Sequence, residues 1–298
     1  MNVWKNIKLT FERGNTLTKL IYVNAGVFLL FSIILIILRL FNMSGAFMPA
    51  WFALPADLGL LFHRFWAPIT YMFLHEEFFH LFFNMLCLYW FGKIFLSVFS
   101  ERHLLGLYFV GGLIAALFYI MAYNIFPYYA PFVSASTLRG ASGSIMAIVV
   151  ASATRLPNME IRLLLVGGVK LKYVAVVAVL TSFFGITSGN GGGELAHLGG
   201  ALSGYLFIAF LDKGTDITAW FNKIIDAIVT IFKPQQMKVK KGKKNAAKQS
   251  KKMTDAEYNM NKTKNMFEID RILDRIKESG YDSLTTEEKK RLFEQGKK

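Results

Sequence analysis

The sequence predicts an all-α polytopic membrane protein, with six spanning helices and a C-terminal tail on the cytoplasmic side. The chain has 298 residues, of which 54% are hydrophobic and 18% are charged, whereas a soluble domain carries about 25% charged residues. The charges are concentrated at the two ends, so the middle of the chain is apolar enough to lie in a bilayer. A single cysteine excludes an intrachain disulfide, and the fold must therefore depend on helix packing.

Six apolar segments are predicted to be membrane-spanning helices. Their ranges are 20–40, 78–99, 104–126, 142–156, 171–188 and 195–212. About 20 helical residues cross the roughly 30 Å of a bilayer core, and together the segments form a predicted membrane domain over 20–212. Residues 1–19 are a short basic lead without a signal-peptide cleavage site, so the first segment is interpreted as an anchor. The long loop 41–65 is amphipathic enough to lie in the membrane interface.

Three segments follow the membrane domain. Residues 213–232 carry isoleucine and aromatic side chains at helical spacing, which predicts an amphipathic helix along the inner interface. Residues 233–265 form a lysine-rich linker, with nine lysines and no acidic residue from Lys233 to Lys252, which favours contact with anionic lipid. Nucleic acid is not expected as a partner, because no aromatic residues alternate with these lysines. Residues 266–298 predict a short helical hairpin that is too small for a core of its own.

The distribution of basic residues predicts the orientation of the spans. The loops 41–65, 127–141 and 189–194 contain only two basic residues, whereas both ends of the chain and the connection 157–170 are basic. By the positive-inside rule, both termini lie in the cytoplasm and these three loops face the outer side. The first residues of the fourth and sixth spans therefore lie on the outer side as well.

A serine and a histidine lie at the outer ends of two predicted spans. Ser142 opens the fourth span in Gly140-Ala141-Ser142-Gly143, and His197 opens the sixth in Ala196-His197-Leu198-Gly199-Gly200. A histidine within reach can take the proton of a serine hydroxyl, which activates the serine as a nucleophile. Each span also carries a stripe of small residues that allows close helix approach. These stripes are Gly143, Ala147 and Ala151 on the fourth span, and Ala196, Gly200 and Gly204 on the sixth.

Glu194 precedes the histidine by three residues and is interpreted as a first-turn acid that faces the helix dipole. The expected catalytic unit is therefore a dyad. His80 and Asn84 are four residues apart and share a helix face, so both can donate hydrogen bonds to an oxyanion. Hydrogen bonding between helices is the alternative role for such side chains.

His75 and His80 raise the question of a metal site. They are five residues apart, whereas a zinc-binding helix places two histidines four residues apart on one face. No cysteine or aspartate at the depth of the spans completes a coordination shell. Neither a metal nor another cofactor is expected.

The pattern His75-x4-His80-x3-Asn84, followed by the serine and histidine motifs in this order, resembles the rhomboid family of intramembrane serine proteases over about residues 17–212. The resemblance implies a six-helix bundle in which Ser142 is the nucleophile and His197 the general base. It also implies an oxyanion hole made by His80, Asn84 and the Ser142 backbone N–H. A supporting role is implied for His75, Gly140, Gly143, Met146 and Gly200.

Two positions depart from the family pattern. Ala67 follows Trp66, where many members have arginine. Met146 stands where many members have an aromatic side chain packed on the catalytic histidine, and methionine is a softer contact. We expect reduced precision at the site without loss of activity.

The expected activity is that of a serine endopeptidase that cleaves transmembrane segments of membrane proteins. The expected location is the bacterial inner membrane, with the site open to the outer side. The alternative is a non-catalytic rhomboid-like adaptor that binds transmembrane helices. Such relatives typically lack the serine or the histidine, and this chain has both. A transporter would have charged residues along a pathway, and spans two to six carry none deep in the bilayer.

Overall fold

The computed structural model of the chain describes residues 3–45, 47–163, 167–232, 269 and 271–295. These residues are helical for the most part, and they belong to two compact units, 1–234 and 235–298. The lysine-rich linker that the sequence predicts at 233–265 lies outside the described residues.

Helices make up most of the first unit. In chain order they are α1 (Val3–Arg13), α2 (Thr16–Leu40), α3 (Phe47–Phe52), α4 (Leu58–His63), α5 (Ala67–Thr70), α6 (Phe78–Leu96), α7 (Glu101–Ile125), α8 (Ser142–Arg155), α9 (Leu171–Gly185), α10 (Gly191–Leu211) and α11 (Ala219–Phe232). Short 3₁₀ helices occur at Tyr71–Phe73 and Pro127–Phe132. Two antiparallel pairs of strands are also present: β1 (Leu54–Pro55) with β2 (Thr137–Leu138), and β3 (Glu160–Leu163) with β4 (Gly167–Lys170).

A helix lies at each of the six positions predicted from the apolar segments. Within the described residues, α2, α6, α7 and α10 are long and apolar enough to cross a membrane, while α8 and α9 contain 14 and 15 residues. The loop expected at 41–65 contains α3, α4 and β1, and the connection expected at 157–170 contains the β3–β4 hairpin. These elements are too short for hydrophobic periodicity to detect.

The core of the first unit lies around α7, α8 and α10. Its largest buried side chains are aromatic: Tyr71, Phe95, Tyr108, Tyr119 and Phe207. The Tyr108 hydroxyl donates to the Met72 carbonyl at 3.2 Å and accepts from the Asn24 amide at 3.1 Å. Because a polar group without a partner is costly in hydrocarbon, these bonds fix α2 and the 3₁₀ helix at Tyr71–Phe73 against α7.

The helices α8 and α10 approach each other closely along the two stripes of small residues. A Cβ atom built on Gly200 would lie 2.1 Å from the Gly143 carbonyl oxygen. One built on Gly204 would lie 2.2 Å from the Ala147 carbonyl oxygen. The close approach expected from the small-residue pattern is therefore present, and it places the first turn of α8 beside α10.

Gly200→Ala is expected to destabilise this helix pair, because the new methyl group has to push the α8 backbone away. Overpacking of this kind costs about 1–3 kcal/mol, so the midpoint of thermal unfolding in detergent should fall. Gly26→Ala on α2 is the matched control, since no atom of another described element lies within 4 Å of the Cβ position there. Equal midpoints for the two variants would contradict the close contact.

The helix α10 begins at Gly191, four residues before the span predicted at 195–212. Glycine disfavours helix formation, so the run of three glycines from 191 to 193 predicts a loop. In the structure, a Cβ atom on Gly192 would lie 2.8 Å from Tyr119 Cε2 of α7. Packing against α7 thus extends the helix over the glycines and places Glu194 in its first turn.

The helix α11 packs against the first turns of α7. Phe221 stacks on Phe109 with ring centroids 4.6 Å apart, and the Asn222 amide donates to the Arg102 carbonyl at 3.1 Å. Trp220 is exposed on another side of the helix. α11 thus has one packed and one exposed face, as an amphipathic helix requires.

The second unit is described over two short helices, α12 (271–279) and α13 (Thr286–Gln295), with a 3₁₀ turn at Tyr281–Ser283 between them. The start of α13 has reciprocal capping bonds. The Glu288 N–H donates to Thr285 Oγ1 at 3.3 Å, and the Thr285 N–H donates to the Glu288 carboxylate at 2.9 Å. The bond from the Thr285 N–H lowers the pKa of Glu288, because it stabilises the ionised form.

Candidate active site

Ser142 is the first residue of α8, and backbone hydrogen bonds hold the segment before it. The strand β2 pairs with β1, and the Gly140 N–H donates to the Tyr71 carbonyl at 2.9 Å. Gly140 has a φ of +112°, which residues with a Cβ atom rarely adopt, so this turn requires glycine. The chain then enters α8 with Ser142 half-buried at its N-terminal end.

His197 lies on α10 and lines the same cavity as Ser142. The cavity has a volume of about 810 Å³. The hydrogen bonds that described residues make with the His197 ring involve Nδ1, so no described side chain, Ser142 included, is bonded to Nε2. Bonds between a nucleophile and its base are often long before a substrate binds. The structure therefore brings the two groups into one cavity and leaves Nε2 available.

His80 and Asn84 line this cavity from α6. A Cβ atom on Gly140 would lie 2.8 Å from His80 Nε2 and 3.9 Å from Asn84 Nδ2, so both nitrogens lie close to the backbone that precedes Ser142. Asn84 is buried and His80 is half-buried. With the Ser142 backbone N–H, they are three groups near the start of α8 that can donate hydrogen bonds.

His75 is buried in the segment before α6, with its ring centroid 5.0 Å from that of His80. Burial lowers the pKa of His75 to about 4, so the ring is neutral at pH 7. The supporting role of His75 stays a prediction, and the structure places its ring against that of His80, which lines the cavity.

The Nδ1 atom of His197 contacts two residues that were not predicted to belong to the site. Ser182 Oγ of α9 lies 3.1 Å from His197 Nδ1, and Glu194 Oε2 lies 3.3 Å from the same atom. The interpretation of Glu194 as an acid that only faces the helix dipole is therefore incomplete. The spacing of three residues between Glu194 and His197 was a signal for this contact. Nothing in the sequence relates Ser182 to His197.

The remaining supporting residues differ in their positions. Gly143 and Gly200 lie in the α8–α10 contact, where a Cβ atom on Gly143 would be 3.3 Å from the Ala196 carbonyl oxygen. Met146 is half-buried on α8 and is not among the side chains that line the cavity. The structure thus gives the two glycines a packing role and leaves Met146 outside the cavity wall.

Charged side chains line one part of the cavity. Arg139 forms an ion pair with Glu76, and its guanidinium also donates to Thr137 Oγ1 at 3.2 Å. Glu77 adds a second carboxylate. Water can occupy such a space, because it is roomy and offers several polar partners.

The arrangement can supply nucleophilic catalysis by a serine with a histidine base. Among the residues that the structure describes, no group of three His, Cys, Asp or Glu side chains is placed to hold a metal ion. The candidate site therefore consists of Ser142, His197, His80 and Asn84, with Ser182 and Glu194 behind the histidine.

The long apolar helices and the polar cavity define a polytopic integral membrane protein. Residues 63–213, which are 151 of the 298 in the chain, match the family model of the rhomboid domain. The chain therefore belongs to the rhomboid family, as the motifs indicated. The matched range contains every residue of the candidate site.

The chain is also similar to the RHOMBOID-like protein 12, mitochondrial, of Arabidopsis thaliana, with 27% identity over 220 residues. The similarity covers 71% of this chain, and the chain spans 62% of the length of that relative. Residues 252–298 match a second model, that of a family of unknown function (DUF6576).

Proposed function

We propose that the protein is an intramembrane serine endopeptidase that cleaves transmembrane segments of membrane proteins. The observation that carries this proposal is the cavity shared by Ser142, His197, His80 and Asn84. Membership of the rhomboid family supports it, because that family includes intramembrane serine proteases. Each of the four side chains has a chemical role in peptide hydrolysis.

In the proposed reaction, His197 Nε2 takes the hydroxyl proton of Ser142 while Ser142 Oγ attacks the carbonyl carbon of the scissile bond. His80, Asn84 and the Ser142 backbone N–H stabilise the negative charge on the carbonyl oxygen. The imidazolium then donates its proton to the leaving nitrogen, and the C–N bond breaks. In the second half of the reaction, His197 takes a proton from water while the water oxygen attacks the acyl carbon. His197 then returns that proton to Ser142 Oγ as the ester C–O bond breaks, which releases the carboxylic acid and restores Ser142 and the neutral imidazole.

The proposed topology has six spans, formed by α2, α6, α7, α8, α9 and α10, with both termini in the cytoplasm. α8 contains 14 residues, and at about 1.5 Å per residue it is shorter than a bilayer core. The helix can still reach the cytoplasmic surface of the bilayer if it begins below the outer surface, with Ser142 inside the membrane. Arg155 at the far end of α8 pairs with Asp212 after α10 at 2.9 Å, which supports a common cytoplasmic end for these helices.

The basic segments support an orientation in which the cavity opens to the outer side of a bacterial inner membrane. We propose five regions: a lead at 1–19, a membrane domain at 20–212, an interfacial helix at 213–232, a lysine-rich linker at 233–265 and a helical hairpin at 266–298. The lysines of the linker bind anionic lipid on the cytoplasmic surface.

A fluorophosphonate probe tests the proposed activity, because it reacts with an activated serine and needs no substrate. The purified full-length protein is expected to form one covalent adduct, which peptide mass spectrometry should place on Ser142. Ser144 is an internal control. It lies two residues further along α8 and is buried, so the probe should leave it unlabelled. A folded protein that forms no adduct would contradict the protease and favour an adaptor that binds transmembrane helices without cleaving them.

A further inference from the structure

We propose that Glu194 is a positioning residue that holds His197 in the tautomer needed for catalysis, with Ser182 as a second partner. This inference rests on the proposed function of Ser142 and His197, and it extends the expected dyad. It is carried by the 3.3 Å distance from Glu194 Oε2 to His197 Nδ1 and the 3.1 Å distance from Ser182 Oγ to the same nitrogen.

The chemistry of the carboxylate determines which tautomer is present. A neutral imidazole carries one proton, on either Nδ1 or Nε2, and the hydrogen-bond partners of the ring decide which. An ionised carboxylate can only accept, so the nitrogen that faces Glu194 has to carry the proton. Nε2 then carries no proton, and its free lone pair can accept the proton of the Ser142 hydroxyl. Once the imidazolium forms, the carboxylate stabilises its positive charge without accepting the proton.

The surroundings of Glu194 support this role over that of a solvated first-turn acid. Its side chain is 18% exposed and that of His197 is 22% exposed. Gly185 of α9 covers the carboxylate closely, since a Cβ atom there would lie 2.9 Å from Glu194 Cγ. Ser182 and Gly185 are three residues apart and share a face of α9. In such a sheltered place the interaction between carboxylate and imidazolium is stronger than in water.

Other ionisable groups near the histidine are placed differently. His80 approaches from α6, and Glu76, Glu77 and Arg139 line another part of the cavity, where Arg139 pairs with Glu76. Within the described part of the chain, Glu194 is the carboxylate bonded to the His197 ring. A change at Glu194 therefore alters the support of His197 and leaves the other charges in place.

The kinetic test uses full-length protein in detergent, with Glu194→Ala, Glu194→Gln and Ser182→Ala. The measured quantities are the maximal rate of fluorophosphonate inactivation and the probe concentration at half-maximal rate. Glu194→Ala is expected to lower the maximal rate about 10- to 100-fold, the range for a lost hydrogen bond to a charged group, with the half-maximal concentration unchanged. Glu194→Gln should lose less, because its amide oxygen still accepts from Nδ1. Glu160→Gln is the matched control, since it removes an exposed carboxylate on β3.

The second test reads the tautomer directly and does not depend on catalysis. Nitrogen-15 NMR of histidine-labelled protein, with the His197 signals assigned by their loss in His197→Ala, should show a proton on Nδ1 in the wild type. In the double variant with Ser182→Ala and Glu194→Ala, a share of the ring should shift to the form with the proton on Nε2. A positioning role requires this shift, whereas a purely structural role does not.

The inference is overturned if Glu194→Ala and Glu194→Gln inactivate as fast as Glu160→Gln, or if wild-type His197 carries its proton on Nε2. Should Glu194→Ala fail to fold, the near-isosteric Glu194→Gln decides the kinetic test. Failure of the proposed function is a different result, because wild-type protein would then form no adduct on Ser142. The NMR measurement still reports on Glu194 in that case.

Discussion

Ser142→Ala and His197→Ala are each expected to abolish peptide hydrolysis and fluorophosphonate labelling. The first variant removes the attacking oxygen, and the second removes the group that takes its proton. Loss of either member of such a pair lowers kcat by about 10⁶-fold in a serine protease, because the two residues act as a unit. Cleavage of a transmembrane substrate in liposomes and labelling of the purified protein both measure this effect.

Ser144→Ala is the matched control for the nucleophile. Ser144 is 1% exposed, and its hydroxyl has no hydrogen-bond partner among the described residues. Its removal should therefore leave both the fold and the labelling rate intact. Labelling that persists in Ser142→Ala would assign the nucleophile to another serine. Full activity in His197→Ala would mean that another base takes the proton.

His80→Ala and Asn84→Ala are expected to lower kcat with little change in KM. Both nitrogens lie near the Gly140 backbone, where the oxyanion is expected, and they act on a charge that is present only in the transition state. Removal of one oxyanion donor costs about 10²- to 10³-fold in kcat. The measurement is steady-state cleavage of a transmembrane substrate by each variant.

His63→Ala is the control for this pair, because His63 is an exposed residue at the end of α4 and lies outside the cavity. It should cleave at the wild-type rate. If His80→Ala and Asn84→Ala raised KM and left kcat unchanged, the two side chains would bind the substrate and would not stabilise the oxyanion.

Much of the membrane unit follows from local sequence patterns. The apolar runs of α2 and α7 are long enough to be recognised without tertiary information, and the stripes of small residues predicted the α8–α10 contact. The start of α10 could not be predicted, because glycines at 191–193 favour a loop until Tyr119 packs against them. The short elements of the 41–65 segment were missed for a related reason, since they depend on contacts with distant strands and helices.

The membrane class and the family follow from the sequence, and the same motifs predict Ser142, His197, His80 and Asn84 as the candidate site, because apolar runs and motifs are properties of neighbouring residues. The tertiary structure decided which partners surround His197. Glu194 and His197 are three residues apart on α10, so their contact lies within one helix. Ser182 is on α9, and only the packing of α9 against α10 brings its hydroxyl to the same ring nitrogen. Contacts between separate helices depend on geometry that no local pattern contains, and for that reason Ser182 was not visible in the sequence as a partner of His197.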